Sequence, residues 1–260
     1  MRLLLDPGGT RLKFAAVEGG KVQGVGHIKW TELDGTSILP FNSFGTVEGM
    51  VFSSFHRLLR PHPPAAPTDW PDQFSHLFAP RLDEGDPVDP FSQCGFEVRY
   101  THGRPGSDRL AAAVACRHRD PDGSFIIIDA GTCITVDLLT PGIWHGGAIL
   151  PGLSLQSSSM LRAGLPEIAP APDGKWMNLS AAEGALGHDT DAALRAGIPW
   201  ATRQSVGAIA RNYMEKAPQS KVVLTGGDAS HFDGLEGWRT FAHPNLVLEG
   251  GALLLNERDI

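Results

Sequence analysis

Two segments of the chain place an aspartate in the same local context. In residues 3–14 and again in residues 126–137, an apolar run is followed by Asp-x-Gly, then Thr and a second run. The pattern predicts a strand, a tight turn and a second strand, with Asp6 or Asp129 at the turn. Such a hairpin points a carboxylate and several backbone N–H groups to one side, where a phosphate and its magnesium ion can bind. One copy alone would indicate an ordinary turn, but two copies predict two similar halves that face each other across a cleft.

The first of these turns supplies the residues expected to bind nucleotide phosphates. Asp6 is expected to hold magnesium on the phosphates, while Gly8, Gly9 and Thr10 offer N–H and hydroxyl groups. Lys13, on the polar face of the second strand, can reach the phosphates as a point charge. Spacing alone favours a solvated strand residue at this position.

The second turn is expected to complete the phosphate site from the other half of the chain. Gly131 and Thr132 follow Asp129 after one intervening residue, Ala130, and present backbone N–H and hydroxyl groups there. We therefore expect Gly131 and Thr132 to contact phosphate as well.

A third carboxylate, Asp108, stands where a helix is predicted to begin. The Ala-rich run 110–116 predicts the helix, with Ser107 or Asp108 at the N-cap. The helix dipole would keep this carboxylate ionised, and phosphoryl transfer needs a carboxylate to take the acceptor's proton. From the residues alone, a general base and a simple helix cap are both open. Arg109 could pair with a substrate carboxylate or be a surface helix residue.

The elements that carry these residues alternate between strands and helices, which predicts an α/β fold. We expect two halves, 1–120 and 121–260, and an irregular surface excursion at 61–90 with eight of the 20 prolines. That excursion could be a lid, but a tolerated loop is the better hypothesis. Strands are predicted at 2–5, 11–17, 22–28, 49–54, 96–100, 125–139 (a hairpin), 222–224 and 246–248, and helices at 110–116, at 153–161 and from 190 onward.

Composition narrows the classes of function. The 260 residues are 42% hydrophobic and 20% charged, and the net charge of −7 with no Lys or Arg run argues against nucleic acid as the main partner. No stretch approaches the roughly 20 apolar residues of a membrane helix, and the residues before Asp6 are too few for a secretory signal. Three cysteines without paired spacing fit a reducing cytosol. We expect a soluble cytoplasmic protein.

Six short motifs, in order along the chain, together resemble those of one family, the type III pantothenate kinases of the actin-like ATPase and sugar kinase superfamily. They cover most of the chain outside residues 30–95. The motifs are Asp6 to Lys13, Gly106-Ser107-Asp108-Arg109, Asp129-Ala130-Gly131-Thr132, Gly146-Gly147-x-Ile149-x-Pro151-Gly152, Gly187-x-Asp189-Thr190 and Thr225-Gly226-Gly227-Asp228-Ala229.

The resemblance implies a fold, a reaction and a set of site residues. The fold would be two ribonuclease H-like halves around a nucleotide cleft, and the reaction ATP-dependent phosphorylation of pantothenate, the first step towards coenzyme A. Asp108 would be the base and Asp129 would bind a monovalent cation, potassium or ammonium, besides the magnesium at Asp6. The family also implies a homodimer. The substrate would be bound by Tyr100, Gly106, Ser107, Asp108, Arg109 and Thr190.

The chain departs from the family pattern at Gly9, where the family usually has Asn. Loss of one charge-assisted contact there would cost about 1.5–3 kcal/mol. Pro7 also removes an N–H donor from this turn. Two other hypotheses therefore remain: a nucleotide-binding regulator that kept the fold but lost turnover, and a kinase of another small hydroxylated acid or sugar. Arg162 replaces a common family Thr, and nothing in the sequence explains that change.

Overall fold

The computed structural model divides the chain into two compact units. The first comprises Met1–Pro121 and Asn245–Ile260, and the second Asp122–Pro244. This grouping differs from the expected halves, 1–120 and 121–260, because the last 16 residues, Asn245–Ile260, group with the first unit. The turn residues Gly8, Gly9 and Thr10 and the segment 61–90 lie outside the described residues. The structure describes residues 2–7, 11–29, 49–52, 94–102, 105–170, 176 and 185–256.

A four-stranded sheet with the order β3-β2-β1-β4 belongs to the first unit. β1 is antiparallel to β2 and parallel to β4, and β2 is antiparallel to β3. Gly19 and Gly20, with φ of 55° and 71°, form the turn between β2 and β3, as their sequence predicts. The predicted strand at 96–100 is shorter, at Glu97–Val98 (β5). The four sheet strands are β1 Arg2–Pro7, β2 Arg11–Glu18, β3 Lys21–Lys29 and β4 Gly49–Phe52.

Two helices complete the described part of the first unit, α1 at Ser107–Arg119 and α4 at Leu246–Asn256. The prediction of a strand at 246–248 is wrong. A short apolar run ending in Gly-Gly fits a strand locally, but here the two glycines lie inside a helix at close contacts. A Cβ on Gly250 would collide with the Ala111 carbonyl of α1, and one on Gly251 would lie 2.7 Å from the Leu4 side chain of β1. Close helix packing thus explains the glycines.

The second unit contains five consecutive strands in the order β10-β9-β6-β7-β8. β6, β9 and β10 are parallel neighbours, whereas β6–β7 and β7–β8 are antiparallel. The hairpin β6–β7 and the strand β9 were predicted; β8 and β10 were not. Their ranges are β6 Phe125–Ala130, β7 Cys133–Thr140, β8 Ile143–Pro151, β9 Lys221–Thr225 and β10 Thr240–Ala242.

One face of this second sheet packs against the long helix α3, Thr190–Lys216, which contributes Val206 and Ala210 to the core. Alternate residues of β6 and β7, among them Ile126 and Ile128, point into that core, as period-two strands require. The short helix α2, Leu153–Arg162, follows β8 as the sequence predicts. Among the described residues, no helix combines the length and apolarity needed to span a membrane.

Candidate functional site

The first hairpin places Asp6 directly opposite Lys13. The two residues are cross-strand partners in the β1–β2 register, so their side chains project from the same face of the sheet. On that face the preceding pair, Leu4 and Ala15, packs against Leu248 of α4. Asp6 is 8% exposed, and Lys13 is half-buried. The face is apolar beneath the helix and becomes charged next to the turn.

The second hairpin repeats this geometry with different chemistry. Asp129 pairs with Thr135 across β6 and β7, and the Gly131 N–H donates to the Cys133 carbonyl at 3.0 Å to close the turn. The Thr132 carbonyl accepts a bond from the Gly152 N–H at 2.9 Å. Thr132 itself is exposed, whereas Asp129 is half-buried. The expected phosphate-binding residues therefore lie on one turn that is fastened to the start of α2.

A second loop meets the Asp129 hairpin, and the sequence analysis had not identified this contact. Thr225, at the end of β9, pairs with Asp129, and the Asp228 N–H donates to the Ala130 carbonyl at 2.9 Å. Gly226 has φ +92°; a Cβ there would collide with the Ala130 carbonyl and lie 2.5 Å from Asp129 Oδ1. The sequence signal for this contact is the Gly-Gly pair directly after a predicted strand. If that strand is a parallel neighbour of β6, the two strand ends lie at the same edge of the sheet.

Asp108 lies in the first turn of α1, but it is not the N-cap. The structure places Gly106 at the N-cap, without a capping side chain, so the prediction of Ser107 or Asp108 is off by one or two positions. Asp108 Oδ1 accepts a hydrogen bond of 2.9 Å from the Arg109 N–H. A Cβ at Gly106 would collide with that oxygen. Glycine at position 106 thus makes room for the carboxylate over the helix start.

Arg109 and Tyr100, both expected to bind substrate, differ in exposure. Arg109 is only 6% exposed, so it is not a surface helix arginine. Tyr100, which precedes the helix in the chain, is 41% exposed. A buried guanidinium next to a half-buried carboxylate, with an accessible phenol earlier in the chain, is compatible with a polar acidic ligand.

Thr190 is the first residue of α3, and its position is fixed by its neighbours. Asp189 is the N-cap, and its Oδ1 accepts a bond of 2.8 Å from the Ala192 N–H. Asp189, rather than Thr190, therefore caps the helix. A Cβ at Gly187 would collide with the backbone of Ala192 and Ala193. The Gly-x-Asp-Thr motif is therefore a helix start that leaves Thr190 exposed.

The two units carry different subsets of the predicted residues. Asp6, Lys13, Tyr100 and the α1 start with its Gly106-Ser107-Asp108-Arg109 belong to the first unit. The Asp129 turn and Thr190 belong to the second. Within the described residues, no three His, Cys, Asp or Glu side chains are grouped so as to hold a metal ion by themselves. A magnesium ion at Asp6 would need oxygen ligands from phosphate or water, which is usual for this ion.

Comparison with known proteins identifies the family. The family model of type III pantothenate kinase matches residues 87–212, which include α1, both strands of the Asp129 hairpin and the start of α3. The type III pantothenate kinase of Alkalilimnicola ehrlichii is 32% identical over 268 aligned positions, covering 98% of each chain. The chain belongs to the type III pantothenate kinase family.

Other type III pantothenate kinases match over a shorter part. The Bacteroides fragilis protein is 36% identical over 154 positions, which cover 58% of this chain and 60% of the relative. Membership of this kinase family implies ATP as phosphate donor, a small-molecule substrate and a phosphotransferase activity, as the sequence analysis expected.

Solved structures show the fold of this pantothenate kinase family member. A Baf family transcriptional activator from Campylobacter jejuni superposes with a TM-score of 0.55 at 17% identity, covering 99% of this chain and 98% of the other. A Sinorhizobium meliloti protein described as a 2-dehydro-3-deoxygalactonokinase gives a TM-score of 0.53 at 10% identity, covering 100% of this chain and 99% of the other. The predicted α/β class is confirmed, and the chain shares its fold with these structures.

Proposed function

We propose that this protein phosphorylates pantothenate with ATP to give 4′-phosphopantothenate, the first step of coenzyme A biosynthesis. The observation that carries the proposal is the 32% identity to a type III pantothenate kinase over 98% of the chain. The placement of the site residues supports it: apart from Tyr100, each predicted residue that the structure describes lies in one of the two hairpins or at a helix start. Such positions present backbone N–H groups and charged side chains to a phosphorylated ligand.

The first hairpin is proposed to bind the phosphates of ATP. Asp6 would hold Mg²⁺, which neutralises charge on the β- and γ-phosphates when bound. Lys13, its cross-strand neighbour, would lie beside the same phosphates and stabilise the charge that develops on them during transfer. Gly8, Gly9 and Thr10 connect these two strands and would contribute N–H and hydroxyl groups.

Asp108 is proposed to act as the base. The pantothenate hydroxyl oxygen forms a bond to the γ-phosphorus, the bond from that phosphorus to the ADP oxygen breaks, and the hydroxyl proton passes to the Asp108 carboxylate. The bond from the Arg109 N–H and the start of α1 both favour the ionised carboxylate. The base is thus weak but charged at neutral pH, which is sufficient when the transition state is largely dissociative.

The substrate is proposed to be held at both ends. The buried Arg109 guanidinium would pair with the pantothenate carboxylate through two parallel N–H···O bonds. Tyr100 and Thr190 are exposed and would contact the rest of the molecule. Gly106 and Ser107 form the backbone next to Asp108 and would line the same site.

In the second hairpin, Gly131 and Thr132 are proposed to contact phosphate and Asp129 to bind K⁺ or NH₄⁺. Thr135, the cross-strand neighbour of Asp129, is neutral, so a cation bound there would add the positive charge that Lys13 provides at Asp6. We further propose a homodimer in the cytoplasm. None of Cys94, Cys116 and Cys133 is in a disulfide, which agrees with a reducing compartment.

The decisive test follows ADP release from purified protein with ATP, Mg²⁺ and K⁺, with and without pantothenate. We expect pantothenate-dependent ADP release that falls by about 10²–10⁴-fold in Asp108→Asn. Asp122→Asn, an exposed carboxylate before β6, is the matched control and should retain the wild-type rate.

The outcomes of this test separate the three hypotheses. ATP binding without turnover on any acceptor would reject the kinase proposal and favour a regulator, which the Gly9 departure motivates. Turnover only with other hydroxylated acids or sugars would replace pantothenate as the substrate. Full activity in Asp108→Asn would leave the kinase in place but reject Asp108 as its base.

A further inference from the structure

α3 and the short 3-10 helix that follows β9, Ala229–Phe232, hold each other by three bonds to main-chain carbonyls. His231 Nε2 lies 3.0 Å from the Pro199 carbonyl oxygen of α3. In return, the Arg203 guanidinium of α3 donates to the carbonyls of His231 and Asp233, the latter at 2.9 Å. We name these four residues, Pro199, Arg203, His231 and Asp233, the α3 clasp.

Each bond of the α3 clasp has a defined direction. A carbonyl can only accept, so His231 carries its proton on Nε2 and donates to Pro199. Arg203 has five N–H donors in a planar fork. Two of its nitrogens, Nη1 and Nη2, donate to the carbonyls of His231 and Asp233. The ring of Phe232, which is fully buried, packs edge-on against His231 at 5.2 Å between centroids. The loop is thus held by its backbone and anchored by one aromatic side chain.

This part of α3 is bonded by side chains as well as by its own backbone. Pro199 lies inside the helix and has no N–H, so it cannot donate the usual helix bond to the Arg195 carbonyl four residues earlier. Thr202, which is 4% exposed, donates to the Ile198 carbonyl at 2.7 Å. Side-chain bonds therefore support this part of α3 on two sides.

The segment held by the α3 clasp begins at the Asp129 site. Gly226 lies against Asp129 Oδ1, and the Asp228 N–H donates to the Ala130 carbonyl. The 3-10 helix starts at the next residue, Ala229, and His231 is three residues beyond Asp228. The His231 N–H donates to the Asp228 carbonyl at 3.0 Å, so the 3-10 helix is bonded directly to the turn 226–228. The turn 226–228 is therefore fixed at one end by the Asp129 hairpin and at the other by α3.

We propose that His231 and Arg203 are positioning residues that hold the turn 226–228 against Asp129 and thereby set the affinity for ATP and the monovalent cation. The inference rests on the proposed function, in which Asp129 binds the cation and the adjoining turn Gly131-Thr132 binds phosphate. Residues behind a binding group often determine its precision, because they fix the backbone that carries it. His231 and Arg203 touch no reacting atom in this scheme.

Four variants test the α3 clasp. His231→Phe keeps a ring against Phe232 but removes the N–H donor, whereas His231→Gln places an amide N–H close to the Nε2 position. Arg203→Met removes both donors and keeps the aliphatic stem. Arg211→Gln is the control, because Arg211 is on the same helix and pairs at 2.5 Å with Glu236, which follows the clasp and lies in a separate short helix.

The first measurement is the dissociation constant of a non-hydrolysable ATP analogue with Mg²⁺, by calorimetry at several K⁺ concentrations. Loss of one neutral hydrogen bond predicts about threefold to tenfold weaker binding in His231→Phe, and a similar or larger change in Arg203→Met. His231→Gln and Arg211→Gln should stay within about twofold of wild type. Thermal unfolding of each variant shows which of them are folded.

The second measurement is steady-state kinetics. A purely structural role would not change the kinetic constants for ATP and K⁺ while leaving those for pantothenate unchanged. We expect the KM for ATP and the half-saturating K⁺ concentration to rise in His231→Phe, with the KM for pantothenate unchanged. Folded His231→Phe and Arg203→Met with wild-type affinity for the ATP analogue would overturn the proposal. If either fails to fold, equal weakening in His231→Gln and Arg211→Gln would overturn it as well. Because analogue binding needs no turnover, this result stands apart from the test of pantothenate as substrate.

Discussion

The two Asp-x-Gly hairpins have nearly the same sequence pattern and strand pairing, but their neighbours differ. Asp6 stands opposite a lysine, next to a face that α4 covers. Asp129 stands opposite a threonine, and its carboxylate lies against Gly226 of the turn after β9. The first unit thus surrounds its carboxylate with a cation and a helix, and the second surrounds it with a neutral side chain and a glycine turn.

On the proposed function, this difference corresponds to a division of labour between two copies of one motif. At Asp6, where Mg²⁺ is proposed to bind, the neighbouring lysine provides an additional fixed positive charge for phosphate. A threonine and a glycine turn provide oxygen atoms and backbone dipoles, which favour a bound cation instead. The four predictions below test that distinction.

The largest effect is expected from neutralising each carboxylate in turn. Asp6→Asn removes a charge-assisted contact worth about 1.5–3 kcal/mol, so kcat/KM should fall by about 10–150-fold at any K⁺ concentration. Asp129→Asn should lose about tenfold, and its rate should no longer depend on K⁺. Initial rates of the two variants in K⁺ and in Na⁺ buffers measure the loss of activity and its dependence on K⁺. Equal K⁺ dependence in the two variants would contradict the division.

The turn beside Asp129 should be intolerant of any side chain at Gly226. Gly226→Ala combines φ +92° with a collision against the Ala130 carbonyl, so we expect a loss of about 1–3 kcal/mol of unfolding free energy. The half-saturating K⁺ concentration should also rise, because the added Cβ displaces Asp129 Oδ1. Gly19→Ala is the control: its φ is +55° but its surroundings are open. It should lose about 1 kcal/mol and keep the K⁺ response.

The first hairpin depends on helix packing instead. Gly250→Ala puts a methyl group into the Ala111 carbonyl of α1, and should cost about 1–2 kcal/mol in urea unfolding. Its matched control is Gly197→Ala in α3, where nothing lies within 4 Å of the new Cβ. That variant should be stabilised by up to about 1 kcal/mol, from helix propensity alone. Opposite signs for the two helix glycines are the expected result; a stabilised Gly250→Ala would refute the close packing.

The smallest effect is a pH dependence that arises from the second unit. Burial lowers the pKa of His231 from its ordinary value of 6.5, against the opposing bond to the Pro199 carbonyl. The unfolded chain therefore binds the proton more readily, and stability is lost as the pH falls through about 6.5 towards the lower folded pKa. His231→Gln should flatten this part of the curve of unfolding free energy against pH. An unchanged slope in His231→Gln would assign it to other groups.

Local patterns in the sequence predict most elements near the site. Period-two alternation identifies β2, and the apolar runs before Asp-x-Gly identify β1 and β6, because a buried strand and a tight turn each need particular residues. Gly-x-Asp-Thr predicts the start of α3 through a capping bond within four residues. All of these signals depend on interactions between residues close in sequence.

Contacts between distant residues produce the errors. Leu246–Asn256 is a helix because it packs against α1 and β1, and neither partner is visible in its own eleven residues. The same packing returns the chain terminus to the first unit, which no local pattern indicates. Arg109 is similar: a helix-start arginine is usually exposed, and only the packing around it makes it buried.

The sequence by itself determines the two hairpins, the α/β class and the family, because short-range periodicity, turn chemistry and motif order are all properties of the linear chain. Only the tertiary structure decides what stands beside each carboxylate: Lys13 across β1–β2, Gly226 against Asp129, and the α3 clasp beyond it. The physical reason is that a strand register or a close glycine contact joins residues that are not adjacent in sequence, such as Asp129 and Gly226. Their proximity depends on the packing of whole elements.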